Sequence, residues 1–229
     1  MTQINYCKNL WSKYAELKGL EGKAEEAITT ASQNSDFAIT KEVLNSIERA
    51  LADLQIEFDD SFETLPSGRI IFKADADAMG EFIAKNKLTP YIFSFVKTDN
   101  QGHVDNLHLT AMQNIVNIEA LAKLPYLKGL QLNQCLGVTD FSPIAKMKRL
   151  EIMFLEDTNI DDLNVFLGLD RLVTLVAQGT EIRDLSPLLQ MPNLECVYLG
   201  RTPALADHRQ IEIINQLRTR QPKPMKVHQ

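Results

Sequence analysis

The chain has few cysteines, and the three that it has are scattered along its length. Cys7, Cys135 and Cys196 form no Cys-x-x-Cys pair, and an odd number of thiols cannot be fully paired. This spacing excludes a dense disulfide framework and argues against a structural zinc site. The first residues also lack a basic stretch followed by an apolar one, so no secretory signal is expected. Together these absences predict a cytoplasmic protein.

Long apolar runs and a basic stripe are missing too. No stretch of about 18 apolar residues occurs, so we expect neither a membrane span nor a membrane partner. Basic residues gather only near the C-terminus, where a solvated helix and a frayed end account for them. They are Arg209, Arg218, Arg220, Lys223 and Lys226. A nucleic-acid partner is therefore not expected.

The excess negative charge of the chain lies entirely in its first part. The net charge is −6, and residues 1–65 contain 12 acidic and 6 basic residues, whereas residues 66–229 contain 18 of each. Apolar residues at helical spacing, most clearly over residues 40–54, predict helices in this part. We interpret residues 1–65 as an acidic helical N-terminal cap.

The C-terminal half repeats one apolar pattern every 22 residues. Val138, Ile160 and Ile182 each open a copy, and Ile115 opens a degenerate copy of 23 residues. Apolar residues occupy positions 1, 4, 7, 10, 13, 16 and 18 of each regular copy. The last two suit a strand with alternate residues pointing inward, and the middle ones suit a short helical or 3₁₀ segment. A period of this length predicts a solenoid in which stacked copies share one core.

Two further columns recur within the copies. Ser142-Pro143 and Ser186-Pro187 predict an N-cap serine followed by proline at the first helical position. A column of small side chains with a polar atom follows the predicted strands: Cys135, Thr158, Thr180 and Thr202. Such residues can satisfy buried backbone groups of a tight loop.

These repeats closely resemble the leucine-rich repeat family, specifically its short internalin-like class with a Ser-Pro-Leu segment. The resemblance covers residues 115–202 and extends weakly upstream to strand-like pairs at Leu107 and Leu109, Phe93 and Phe95, and Ile70 and Phe72. Only 14 residues separate Phe93 from Leu107, which leaves open a turn without a helix or a hairpin through residues 98–102.

The resemblance implies an α/β leucine-rich repeat solenoid, with a parallel sheet, short helices or 3₁₀ turns on its convex side, and a helical cap at each end. We divide the chain into an N-terminal cap (1–65), a solenoid (66–206) and a C-terminal cap helix and tail (207–229). The solenoid is expected to be irregular over residues 66–114 and regular over residues 115–206.

Residues that alternate with the core positions should face the concave side of the sheet. They include an apolar patch of Ile152, Phe154, Val176 and Tyr198, with His108 in the same column. The patch has a polar rim of Gln131, Asn133, Glu156, Gln178 and Arg201. Exposed patches of this kind mark partner sites, although β-propensity alone also places such residues in strands. We therefore predict a non-catalytic module that binds a protein partner on its concave face and needs no cofactor.

Two alternatives stay open at this point. The first is a dedicated inhibitor or immunity protein that neutralises a toxin or an enzyme, since the acidic segment would suit a basic target. The second is a metal-dependent enzyme that uses Asp75 and Asp77, because two carboxylates after an apolar strand can chelate a hard cation. A simpler interpretation of this pair is the acidic first turn of a helix over residues 77–85. We accordingly assign no catalytic or metal-binding residue.

Overall fold

The computed structural model describes residues 62–64, 70–220 and 224–229, together with positions 16, 19, 46, 49 and 50. Most of the predicted N-terminal cap, including most of the helix expected over residues 40–54, lies outside these residues. The chain divides into two compact units, Met1–Lys73 and Ala74–Gln229. In the first unit, β1 (Phe62–Thr64) pairs antiparallel with β2 (Ile70–Phe72). The strand expected at Ile70 therefore exists, but it belongs to this two-stranded sheet.

The second unit contains a seven-stranded sheet in which the strands follow one another in chain order. The first pair is antiparallel, and every later pair is parallel. The strands are β3 (Val96–Thr98), β4 (Val104–His108), β5 (Gly129–Gln131), β6 (Ile152–Phe154), β7 (Thr174–Val176), β8 (Cys196–Tyr198) and β9 (Lys226–His228). This arrangement confirms the predicted leucine-rich repeat solenoid.

A short 3₁₀ helix lies in every connection between parallel strands from β4 to β9. These helices span Glu119–Lys123, Ser142–Lys146, Leu163–Phe166, Ser186–Gln190 and Pro203–Ala206. Helix α1 (Lys73–Lys85) precedes the sheet, and helix α2 (His208–Thr219) lies between β8 and β9. Among the described residues, no helix combines the length and the apolar character that crossing a membrane requires.

The apolar positions that the 22-residue pattern identifies form the central part of the core, which extends into α1 at one end and into α2 and β9 at the other. All seven positions of each regular copy are buried, and none has a side chain more than 6% exposed. Equivalent residues stack in register, so that Met153 lies opposite Leu175 and Leu175 opposite Val197. A single copy cannot bury its own apolar side chains. The copies before and after it in the stack cover them.

The parallel hydrogen-bond ladder continues one residue beyond each strand. The backbone N–H groups of Leu132, Leu155 and Ala177 donate to carbonyl oxygens of the following repeat at 2.9, 2.8 and 2.9 Å. The strands expected near residues 130–132, 153–155, 175–177 and 197–199 are thus confirmed with a shift of one residue. Their predicted parallel pairing is also confirmed.

The loop column performs the role that its side chains predict. The hydroxyls of Thr158, Thr180 and Thr202 donate to the carbonyl oxygen three residues earlier, at 2.7, 2.7 and 2.8 Å. Cys135 takes this position in the first copy, and its thiol contacts the Leu109 carbonyl oxygen at 2.8 Å. Burial raises the pKa of the Cys135 thiol, so that it stays a neutral donor.

The predicted serine N-caps are wrong, and aspartates two residues earlier take their place. Phe141 and Leu185 precede the 3₁₀ segments and make no side-chain cap. Instead, the carboxylates of Asp140 and Asp184 accept the backbone N–H of the serines, each at 2.9 Å. A short side chain bonding two residues ahead forms an Asx turn, which sets the chain direction before proline. We call the residues in this role the Asx column: Asn117, Asp140, Asp162, Asp184 and Asp207.

The irregular part before the repeats contains a 3₁₀ helix where a strand is expected, followed by a hairpin. Phe93 and Phe95 do not form a strand, because Pro90 opens a 3₁₀ helix that continues to Phe95. The 14-residue spacing from Phe93 to Leu107 is explained by a hairpin of β3 and β4, one of the two structures that the sequence leaves open. Its turn is fixed by Asp99, which accepts backbone N–H groups of residues 101 and 103, and by Gly102 at φ +80°.

The C-terminal part contains the predicted helix and an additional strand. Ile214 and Leu217 of α2 are fully buried, and Asp207 accepts a hydrogen bond at its N-terminus. The expectation of a frayed end is wrong for residues 226–228, which pair in parallel with β8. Arg220 connects α2 to the preceding loop by donating to the carbonyl oxygens of residues 191, 192 and 194.

The stacking of equivalent residues can be tested at β7. Leu175→Ala should lower the free energy of unfolding by about 2–5 kcal/mol, because it leaves a cavity in a shared core. Thr174→Ala, at the neighbouring outward position, should cost less than about 1 kcal/mol. Urea unfolding followed by circular dichroism measures both changes. Equal effects of the two variants would contradict the inside–outside assignment.

The Asx column predicts a pH dependence of stability. Hydrogen bonds from the Ser142 hydroxyl and backbone N–H hold the pKa of Asp140 below its ordinary value. The stability gained in this way is present above the unfolded-state pKa of about 3.9 and is lost as the pH falls through the folded-state pKa.

Asp140→Asn keeps an oxygen acceptor, as Asn117 does, but removes this titration. We expect the parent to melt at a higher temperature than Asp140→Asn at pH 6, and the difference to shrink below about pH 4. Asp161→Asn, at an exposed carboxylate outside the Asx column, is the matched control. A difference for Asp140→Asn that does not change with pH would contradict the assignment.

Candidate protein-binding face

The outward side chains of the sheet form two rows across the parallel strands. The strand-start row contains Asn106, Gly129, Ile152, Thr174, Cys196 and Lys226. The strand-end row contains His108, Gln131, Phe154, Val176, Tyr198 and His228. Because equivalent residues pair in register, side chains in one row stand about 4.8 Å apart from strand to strand.

The predicted apolar patch lies together in the centre of these rows. Ile152 is 40% exposed, and Phe154 and Tyr198 are half-buried. Val176 occupies the expected position but is only 7% exposed, between the larger rings of its two neighbours. The patch therefore offers Ile152, Phe154 and Tyr198 as its accessible apolar groups, and Val176 supports them from below.

The polar rim consists of Gln131 at the end of β5 and of four residues in the loops that follow the strands. Asn133 accepts the backbone N–H of Glu156 at 2.9 Å, which links two successive repeats. Arg201 reaches back over two repeats, with its guanidinium 2.9 Å from an Asp157 oxygen and 3.4 Å from a Glu156 oxygen. Gln131 and Gln178 are half-buried beside them, and His108 is exposed at the far end of its row.

A left-handed backbone residue recurs at the start of these loops. Ala111, Gln134, Asp157, Gly179 and Arg201 have φ values between +54° and +64°. The first four donate their backbone N–H to the carbonyl oxygen of the next repeat at 2.8 Å. This column turns each chain segment away from the sheet while the ladder continues, so four non-glycine residues tolerate an unfavourable conformation.

Gly179 is the glycine of this column, and it lies where Arg201 pairs with Asp157. A β-carbon at Gly179 would lie 2.1 Å from an Asp157 carboxylate oxygen and 3.1 Å from the Arg201 guanidinium carbon. The missing side chain therefore leaves the space in which the two charged groups meet. Exposed ion pairs of this kind add little stability, but this one fixes the position of Arg201 on the rim.

The last strand adds two residues that the sequence analysis did not place on this face. His228 stacks on Tyr198, with ring centroids 4.2 Å apart and an angle of 7° between planes. Lys226 lies opposite Cys196 and is exposed. A hydrogen bond with the Cys196 thiol raises the pKa of the Tyr198 phenol. Alternation of Met225, Val227 and polar neighbours signals the strand, but a 12-residue helix interrupts the repeat period before it.

The carboxylates considered for metal binding are not brought together. Asp75 is fully buried in the first turn of α1, where its Oδ2 accepts the Val104 backbone N–H at 2.7 Å. The same oxygen lies 3.5 Å from Nδ1 of the buried His103. Asp77 is exposed, since residues two apart on a helix face different directions. No group of three His, Cys, Asp or Glu side chains suited to a metal ion occurs within the described ranges.

Comparisons with solved structures find leucine-rich repeat proteins. Internalin C2 of Listeria monocytogenes matches with 33% identity over 44% of this chain and 43% of its own, at a TM-score of 0.41. An internalin F from the same species matches with 25% identity over 38% and 26%, at 0.36. The leucine-rich repeat ectodomain of the Arabidopsis thaliana receptor kinase SOBIR1 matches with 17% identity over 60% and 89%, at 0.45.

The chain thus spans less than half the length of either internalin. No protein-family model matches it, and no curated protein is significantly similar in sequence. The 22-residue copies of the chain and the parallel sheet that they form identify the fold as a leucine-rich repeat solenoid.

The crowding at Gly179 gives a prediction for the rim. Gly179→Ala should lower the free energy of unfolding by about 1–2 kcal/mol, because alanine is strained at positive φ and its methyl group pushes Asp157 and Arg201 apart. Ala111→Gly, the reverse change in the same column, should be neutral or slightly stabilising. Thermal melts compare the two, and a costless Gly179→Ala would contradict the crowding.

Proposed function

We propose that this leucine-rich repeat solenoid is a non-catalytic module that binds another protein on the concave face of its sheet. The observation that carries the proposal is the apolar patch across β6, β7 and β8. Ile152, Phe154 and Tyr198 are accessible there, on strands that a fully buried core holds in register. Aromatic and branched side chains at the centre of a face, with polar groups around them, have the composition of an interaction hot spot.

The size of the apolar patch suits a protein partner. Phe154 and Tyr198 stand two strands apart, a distance of about 10 Å, and Val176 fills the space between them. One face of a partner helix or loop can cover both rings at once. A small molecule would need a deeper, more enclosed site than this open surface provides.

The rim and the backbone favour binding without rearrangement. Arg201 is held by two carboxylates, Asn133 by a backbone N–H, and Tyr198 by its stack on His228. Side chains that are already ordered lose less conformational entropy when a partner covers them. This arrangement supports a preformed interaction site, and it requires no cofactor.

The proposal predicts separate effects of surface changes on folding and on binding. Phe154→Ala and Tyr198→Ala should each weaken partner binding by about 2 kcal/mol or more, as the loss of an interface anchor does. Each should retain the circular dichroism spectrum of the parent, because both side chains are only half-buried. Tyr198→Phe, which keeps the ring against His228, should bind nearly as well as the parent.

The measurement compares the parent with these variants as baits in the same extract of the source cells, followed by calorimetric titration of the captured partner. Leu189→Ala is the matched control, since Leu189 is an exposed apolar residue in the 3₁₀ helix Ser186–Gln190, outside the outward rows of the sheet. A partner that all variants retain fully would contradict binding on the concave face. Loss of folding in both alanine variants would instead contradict the assignment of these side chains as outward.

A further inference from the structure

The concave face contains a notch over β5, beside the apolar patch. Gly129 has no side chain, whereas its register neighbours in the strand-start row are Asn106 and Ile152. The resulting depression encloses about 170 Å³ and is lined further by Gln131, Phe154 and His108. Its accessible wall is mostly carbon. The volume is below the roughly 300 Å³ of the smallest usual ligand pockets, so it suits a single side chain.

The glycine is required for the shape of the notch. A β-carbon at position 129 would lie 2.0 Å from Oδ1 of Asn106, so any larger residue would displace the Asn106 side chain. The Asn106 amide is in turn held by a hydrogen bond to the Asp105 carboxylate at 3.0 Å. The notch therefore has one polar edge, at Asn106, and an apolar edge made by Ile152 and Phe154.

The charge on the outward rows differs from that of the chain as a whole. The chain has a net charge of −6, but the permanently charged strand residues on this face, among those that the structure describes, are two lysines: Lys226 in the strand-start row and Lys97, which pairs with Asn106 across the antiparallel edge. Glu156, in the loop behind, is already paired with Arg201. The ring of His228 beside Lys226 adds an N–H donor to the same end of the face. A partner group placed over β9 meets a cation and a donor, which a carboxylate complements.

We propose that the partner contributes an extended acidic segment that crosses the strands, with one apolar side chain in the Gly129 notch and one carboxylate against Lys226. This inference rests on the proposed concave-face function and specifies its ligand. The notch, over β5, is separated from β9 by about 19 Å at 4.8 Å per strand. An extended chain covers that distance in about six residues at roughly 3.3 Å each. The segment therefore has an apolar residue and an Asp or Glu about six positions apart, and it runs along the strand-start row beside Phe154, Val176 and Tyr198.

Selection from a displayed library of random peptides, about 12 residues long so that they can cross the sheet, tests this directly on the full chain. We expect the selected peptides to share an aliphatic or aromatic residue and an acidic residue at this spacing. The dissociation constant of a synthetic consensus peptide is then measured by fluorescence polarisation. Ile152→Ser and Lys226→Glu should each weaken it by about tenfold or more, the size expected of an anchor residue.

Matched controls distinguish the site from general effects of charge and polarity. Thr174→Ser alters the same row two strands away from Gly129, and Lys146→Glu reverses an exposed lysine in the 3₁₀ helix Ser142–Lys146, outside the outward rows. Both should stay within about twofold of the parent. Replacing the acidic residue of the peptide with lysine should abolish binding to the parent and restore it to Lys226→Glu.

The outcomes separate this inference from the proposed function. Peptides that need Phe154 and Tyr198 but are indifferent to Lys226→Glu, or that lack the acidic residue, overturn the inference and leave the concave site standing. Peptides that tolerate Phe154→Ala and Tyr198→Ala as well overturn both. A library that yields no binder to the concave face overturns the extended segment as the ligand, even where a folded partner still requires Phe154.

Discussion

The fold depends on one constraint, the constant register in which each strand pairs with its copy in the next repeat. Every parallel pair from β4 to β8 aligns equivalent residues, and backbone N–H groups beyond the strands continue the ladder at 2.8–2.9 Å. A shift by one residue would turn Leu175 outward and Thr174 inward along the whole stack. Because of this register, a core position and a surface position each become a column. The buried columns supply stability, and the outward ones form a continuous surface.

Tight loops are possible in this register because their polar groups are satisfied locally. Thr158, Thr180 and Thr202 each donate to a buried carbonyl oxygen, and the Asx column accepts N–H groups where the 3₁₀ helices begin. An unpaired buried backbone group costs about 1–3 kcal/mol, so a column of such groups would cancel much of the gain from stacking. The left-handed residues at the loop starts have an unfavourable backbone conformation, and the ladder bonds that they donate offset its cost.

The sequence predicts the repeated apolar core well and the other features less well. All seven apolar positions that the 22-residue period identifies in each regular copy are buried, because burial there depends on spacing along the strand and the 3₁₀ segment. Val176, which alternation places on the surface, is buried as well because larger side chains flank it. The predicted serine caps are wrong because Asp140 and Ser142 can both accept a hydrogen bond, and only backbone geometry decides between them. Phe93 and Phe95 have strand-like alternation, but Pro90 places them in a 3₁₀ helix. Strand β9 has no copy at the period, since α2 and Arg220 determine where residue 226 meets β8.

On the candidate face, the sequence predicts the residues that follow from the repeat and misses those that depend on where the chain returns. Ile152, Phe154 and Tyr198 follow from alternation with the core, whereas His228 and Lys226 depend on the returning chain. The notch depends on a missing side chain at Gly129, which no apolar pattern detects. Apart from Val176 and Gly129, the outward residues take little part in the core, so they can change with little effect on folding. Their present composition, apolar at the centre and cationic over β9 in a chain of net charge −6, is the composition that the proposed binding of a protein partner predicts.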